Sequence, residues 1–359
     1  MQNRRNLIHV EIMRIIATLF VIFNHTNLRG FFLFIEYPVT SVRYWLYLYI
    51  SICCKVAVPL FLMITGALLL KKNEQLCELW KRRVGKMVAV LVLFSFIYYL
   101  RQIQVGNEEW SLKRFFLVLY DSDWNFAYWY IYVYIAMLIT LPFLRALVSN
   151  LETKLFYYMI ILAICFEGII PILQFLLCQN QYSLNEGLEI SWITTRAVLY
   201  PCVGYFVEYK AEELLRKKKI ILLWICTFIT IGISCYMTYY KMLMTGEKDM
   251  SSTQTFFNSF VLIHCITVYS TLKYFCLKVK IPRWCSRVLI SVGGTTFTIY
   301  LLHILIMNTV TFEKVLYVFN TEWCMNDMFA ICLYCCTVFV TGYVIATVFK
   351  LLPGLKKIL

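Results

Sequence analysis

Two histidines and an arginine lie where the chain otherwise offers mostly apolar side chains. The segment EIMRIIATLFVIFNH carries Glu11, Arg14 and His25, and TTFTIYLLHILI carries Tyr300 and His303. Eleven helical steps return to within about 20° of their starting direction, so Arg14 and His25 share a face about 16 Å apart along the axis. Glu11, three residues before Arg14, is spaced to pair with it. A neutral imidazole held in lipid can take a proton from a hydroxyl; attack by the ring itself as a nucleophile is the alternative. Tyr300 shares a helix face with His303, so its hydroxyl or that second imidazole could donate to an oxyanion or orient the base. The structural readings stay open beside these: Arg14 snorkelling to the interface, and His303 making only a helix–helix hydrogen bond.

The elements that must position these residues follow from composition. Of 359 residues, 61% are hydrophobic and only 15% charged. A soluble chain carries about a quarter charged residues, so a soluble enzyme, a disordered chain and a fibrous rod are all excluded. The expected architecture is an all-α polytopic membrane protein, about ten transmembrane helices around an internal cavity. A span needs about 20 mainly apolar residues. Runs of that kind occur at 10–29, 44–70, 84–101, 126–147, 155–178, 190–209, 219–240, 255–277, 288–310 and 329–351. The stretch 110–120, WSLKRFFLVLY, is too short to cross and reads as a helix lying in the interface. The first run has no small-residue cleavage site, so no signal peptide is expected.

The net charge of +14 would suggest nucleic acid in a soluble protein. Here 23 of the 34 lysines and arginines fall on one side of the ten spans, eight on the other and three within them. That alternation puts both termini in the cytoplasm and leaves no reason to expect a nucleic-acid partner. Most of the 15 cysteines sit inside apolar runs and read as small buried hydrophobes. Cys178 and Cys324 could pair on the far side, and the cluster Cys332, Cys335 and Cys336 lacks the His or carboxylate that would make a metal site.

Other ionisable groups inside the spans are functional candidates by default. Lys55, Glu167 and Arg196 read as cavity residues without assigned roles, Glu208 as an interfacial residue, His264 as structural, and His9 as uninformative. Pro59, Pro142, Pro171 and Pro201 kink or interrupt helices, which a bundle tolerates around an internal cavity. Thr65-Gly66 permits close helix approach.

In order along the chain, these segments resemble the acyltransferase 3 family of integral-membrane acyltransferases. The first is RIIATLFVIFNH, with Arg14 and His25 eleven apart and Glu11 before them. The second is VPLFLMITGALLL, where Thr65 stands in place of the family's usual Ser. Then come LWKRRVGKMVAVLV, AYWYIYVYIAMLITLPFLR with Trp129, LYPCVGYFVEY, and TIYLLH. The resemblance covers nearly the whole chain, which is then expected to be one transmembrane acyltransferase domain over 1–359.

The resemblance implies a cytoplasmic acyl-CoA, usually acetyl-CoA, as cosubstrate with no bound cofactor or metal. It implies an acceptor hydroxyl on a cell-surface or lipid-linked glycan, His25 as the catalytic histidine, and Arg14 as a residue that binds the donor or supports the site. Arg82, Arg83 and Lys86 are expected to share the CoA phosphates, although a lysine binds phosphate only as a point charge. Glu11, Thr65, Trp129 and Arg196 complete the expected substrate contacts. With the chain ending at Leu359, transfer is expected to be completed in the membrane domain. The main rival is a transporter or flippase for a polar or lipid-linked substrate; a sensor or anchor for a separate enzyme is the third reading. Oligomeric state is not readable.

Overall fold

A computed structural model of the chain describes residues 7–179, 181–188, 190–318 and 327–354. Lipid offers no partner to backbone N–H and C=O groups, so an apolar chain satisfies them within helices. The described residues obey this: they form helices and turns, with no strand among them.

The helices used below are α1 (Ile8–Asn24), α2 (Val42–Cys54), α3 (Ala57–Leu69), α4 (Gly85–Gln104), α5 (Leu112–Asp121) and α6 (Trp129–Asn150). They continue as α7 (Thr153–Ala163), α8 (Ile170–Cys178), α9 (Arg196–Tyr209), α10 (Lys217–Thr245) and α11 (Val261–Lys278). The last are α12 (Arg283–Gly293), α13 (Thr296–Thr309), α14 (Phe312–Val318) and α15 (Asp327–Phe349).

Each expected span contains a helix, but only some are long and apolar enough to cross a membrane. Among the described residues six qualify: Val42–Leu69, Leu76–Gln104, Phe126–Asn150, Thr153–Cys178, Lys217–Thr245 and Asp327–Phe349. The pair α12 and α13, bent by 53°, makes a seventh if it is one span. The helices α1, α9 and α11 fall short in length or apolarity. Two of these are packed within the bundle: Met13, Ala17 and Ile22 of α1 and Cys202, Val203 and Phe206 of α9 are wholly buried. A helix surrounded by other helices needs no unbroken lipid-facing run.

Glycine sets the closest approach in the bundle. A Cβ on Gly66 of α3 would run into the backbone of Pro201 of α9, and one on Gly204 of α9 into the backbone of Met63. The two helices therefore touch main chain to main chain, as small residues permit in membrane bundles. The 110–120 stretch contains the helix α5, with Phe115 buried beside Tyr99 and Trp124, and Phe116, Leu117 and Tyr120 facing outward. Cys324, one half of the expected pair with Cys178, lies outside the described residues.

Candidate active site

His25 is not within the helix, as a span over 10–29 would place it, but caps α1 just after Asn24, its N–H donating to the Ile22 carbonyl at 3.1 Å. The chain turns here for local reasons. The Thr26 hydroxyl donates back to the Phe23 carbonyl at 2.7 Å and accepts from the Phe31 N–H at 3.0 Å. Asn27 then takes a left-handed φ of 49°, a conformation asparagine adopts more readily than most residues. The returning segment buries Phe31, Phe32 and Phe34. The imidazole consequently stands at a helix end, facing a space no helix fills.

Hydrogen bonds fix how the two histidines are protonated. His303, wholly buried on α13, places Nδ1 at 2.5 Å from the Tyr300 carbonyl oxygen. A carbonyl only accepts, so Nδ1 carries the proton, and in the neutral ring Nε2 holds a lone pair. That Nε2 lies 3.0 Å from His25 Nδ1, which must then donate to it. The unprotonated nitrogen of His25 is thereby left as Nε2. His25 also packs edge-on against Phe126, with ring centroids 5.2 Å apart.

The two tyrosines on this wall are committed elsewhere. The Tyr300 hydroxyl donates to the Ala127 carbonyl, and the Tyr128 hydroxyl donates to the Leu301 carbonyl at 2.8 Å. The Tyr300 hydroxyl and His303 Nδ1 are thus both engaged by carbonyls, and His303 contacts His25 through Nε2. What Tyr300 contributes to the chain of bonds is its backbone carbonyl.

His25 lines a cavity of about 360 Å³ with Asn24, Lys55, Trp129, Glu167 and Arg196. The three ionisable span residues left without roles by the sequence thus converge on one space. Lys55 Nζ donates to Gln254 Oε1 at 2.6 Å, and the Arg196 guanidinium stands 5.3 Å over the Trp129 ring.

Arg14 lines two further cavities at the other end of the bundle. One, about 260 Å³, runs past Thr65, Tyr130 and Tyr134 up to Tyr300. The other, about 870 Å³ and more open, holds Lys71, Lys72 and Arg83. Arg14, Thr65 and Tyr134 line both, so the two spaces meet there. Arg14 pairs with Glu11 at 3.1 Å, as spaced. Thr65 donates its hydroxyl to the Phe61 carbonyl at 2.8 Å. Among the described residues the passage ending at Tyr300 shares no lining residue with the His25 cavity. Tyr130, packed edge-on to Tyr300 with centroids 5.5 Å apart, belongs to the partition between them.

The expected basic trio divides. Arg83 faces the open cavity and donates through Nε to Glu74 Oε2 at 2.8 Å, while Arg145 reaches the same oxygen at 2.9 Å. Hydrogen bonds from Arg83 first, then Arg145, hold the Glu74 carboxyl down at about 2. Arg82 instead is exposed and paired with Glu78 at 2.7 Å, and Lys86 is half-buried; neither lines a described cavity. Lys71 and Lys72, in sequence two of the 23 charges on one side, line the open cavity beside Arg83. Their signal was available only as charge, both lying just past the end of α3 at Leu69. Gln254 carried none, being one polar residue in a loop.

The remaining buried histidines have structural partners. His9 meets Glu208 at 3.1 Å, Glu208 also accepting from Tyr269 at 3.0 Å and facing Lys273 at 3.4 Å, which ties α1 to α9 and α11. His264 lies 3.0 Å from the Thr230 hydroxyl.

No curated protein and no solved structure matches the chain. A family model does, the one described as Acyltransferase domain, and it matches residues 7–347. That match spans Arg14, His25, the glycine contacts and the Tyr300–His303 segment alike. The chain belongs to the acyltransferase 3 family.

Proposed function

We propose that the protein transfers a short acyl group, acetyl in the first instance, from acyl-CoA to a hydroxyl of a cell-surface or lipid-linked glycan. In this reading the end of the bundle carrying Lys71, Lys72 and Arg83 faces the cytoplasm, as do both termini, and the His25 cavity opens toward the opposite side. The observation that carries the proposal is the chain of bonds from the Tyr300 carbonyl through His303 to His25. It leaves a basic nitrogen on a ring bordering a cavity with room for a sugar.

The cations of the open cavity would hold the CoA phosphates as point charges and, at Arg83, as a fork. Arg14 and Thr65 line the way for the acyl-bearing arm, and the Tyr130 ring must swing aside for the acyl group to reach His25. His25 Nε2 takes the proton from the acceptor hydroxyl as its oxygen attacks the thioester carbonyl carbon. The carbon–sulfur bond then breaks, and the departing CoA thiolate takes that proton from His25. The product is an ester and free CoA. His303 is a positioning residue: it accepts from His25 Nδ1 and so keeps the lone pair on Nε2.

The test is release of CoA thiol from acetyl-CoA by the purified protein with a glycan acceptor. The expected result is acceptor-dependent thiol release that His25→Ala abolishes, with the variant still melting cooperatively. Acceptor-dependent release that persists undiminished in His25→Ala would overturn the role given to this ring, and movement of substrate across vesicles without thiol release would favour a transporter.

A further inference from the structure

We infer that the His25 cavity takes an acceptor bearing an anionic group, a carboxylate or phosphate on the saccharide, held between Lys55 and Arg196. The inference rests on the acyltransferase reading and adds to it the chemical class of the acceptor.

Several cations elsewhere in the bundle have a carboxylate partner. Arg14 sits beside Glu11, Arg83 and Arg145 beside Glu74, and Lys273 beside Glu208. Among the described residues the two lining the His25 cavity have none. Lys55 stands at the interruption between α2 and α3, where its partners are the neutral Gln254 amide and the faces of Phe31 at 4.8 Å and Phe257 at 5.8 Å. Arg196 rests on Trp129. Among the described residues neither makes an ion pair with a carboxylate, and Glu167, on the same cavity wall, pairs with neither.

A cation within the membrane is costly without a counter-charge, and aromatic faces return only part of that cost. Lys55 is half-buried and Arg196 exposed at the same cavity, where Glu167 is the one carboxylate against two cations, and a ligand with negative charge balances the remainder. Backbone polarity adds to the same field. The helix α9 begins at Arg196 itself, so its positive N-terminal end borders the cavity. Interrupted membrane helices whose N-terminal ends meet anionic substrate groups are a recurrent device. The division of labour is then simple: Lys55 and Arg196 hold the acid group, and His25 meets a hydroxyl of the same sugar.

Binding can be read apart from turnover by titrating glucuronate, glucose 1-phosphate and glucose into His25→Ala protein in phosphatidylcholine nanodiscs. The acidic sugars should bind at least about tenfold more tightly than glucose, and the preference should fall to about twofold or less in the added pair Lys55→Met and Arg196→Gln. The charge-keeping pair Lys55→Arg and Arg196→Lys should retain most of it, which separates lost charge from lost folding. Equal binding of acidic and neutral sugars, or a preference surviving the neutral pair, would overturn the inference. A second arm uses phosphatidylglycerol nanodiscs. If that lipid is retained by the cations, is lost from the neutral pair, and is not displaced by the acidic sugars, the site belongs to a lipid headgroup and the inference fails. Absence of thiol release with every sugar from the unsubstituted protein would instead sink the acyltransferase reading, whatever the binding data show.

Discussion

His303 Nε2 accepts a hydrogen bond from His25 Nδ1 across 3.0 Å, although 278 residues separate the two rings in the chain. The consequence is chemical rather than structural, because the bond decides which nitrogen of His25 keeps its lone pair. His303→Leu leaves His25 free to adopt either tautomer and to rotate. The expected loss in kcat is about 10- to 100-fold, smaller than the 10²- to 10⁴-fold typical of removing a general base. His303→Gln, whose amide can donate to the Tyr300 carbonyl and accept from His25, should recover most of the rate. Equal damage from both substitutions, measured by thiol release, would make His303 a packing residue only.

The open cavity lined by Lys71, Lys72 and Arg83 gives a charge prediction. Lys71 and Lys72 border an open, water-reached space, so their attraction for phosphates should be screened by salt. Replacing both with Gln should raise KM for acyl-CoA about tenfold at low ionic strength with little change in kcat. The gap to wild type should narrow at high salt. Arg82→Gln, which removes an exposed arginine paired with Glu78, should leave KM within about twofold.

These assignments show how much the sequence could say. Membrane composition made an all-helical bundle certain, and eleven-residue spacing put Arg14 and His25 on one helix. Their separate cavities also fit the calculated rise between them. The pairing of His25 with His303 was only half legible: similar depth was readable, contact was not, because no local pattern says which helices adjoin. The polar run NHTNLRG over 24–30 marks an end to the apolar stretch, but that the helix stops at Asn24 is decided by the Thr26 hydroxyl, which spacing does not show. Arg82, Arg83 and Lys86 looked equivalent in sequence, yet only Arg83 has Glu74 and Arg145 to hold it at the cavity. Selection of that kind is tertiary and leaves no trace in spacing.

The Glu74 network predicts a pH effect of definite sign. Its folded carboxyl is held at about 2 by Arg83 and Arg145, below the ordinary glutamate value of about 4.3. A depressed carboxyl contributes stability that is full above its unfolded value and lost as pH falls toward the folded one. Glu74→Gln should therefore lower the thermal midpoint above about pH 5, the pair network contributing on the order of 1–2 kcal/mol. The difference from wild type should shrink steadily between about pH 4.5 and pH 2. A difference that stays constant over that window in detergent melts would mean that the carboxylate's charge is not what the site uses.

The contact of α3 with α9 gives the sharpest stability test. Gly66 and Gly204 each face the partner's main chain, Pro201 in one case and Met63 in the other. A backbone cannot rotate away as a flexible side chain does, so one added methyl has to separate the helices. Gly204→Ala should therefore destabilise by about 1–3 kcal/mol, the range of overpacked cores. It should also disturb activity, since α3 carries Thr65 and α9 carries Arg196. Gly232→Ala is the matched control: that glycine lies within α10 with nothing near its would-be Cβ. The same methyl there should stabilise the helix by up to about 1 kcal/mol through propensity alone. Opposite shifts in the two melting midpoints are expected. A Gly204→Ala variant as stable as wild type would mean that the two helices are not in backbone contact, and the wall that carries Arg196 to the His25 cavity would have to be redrawn.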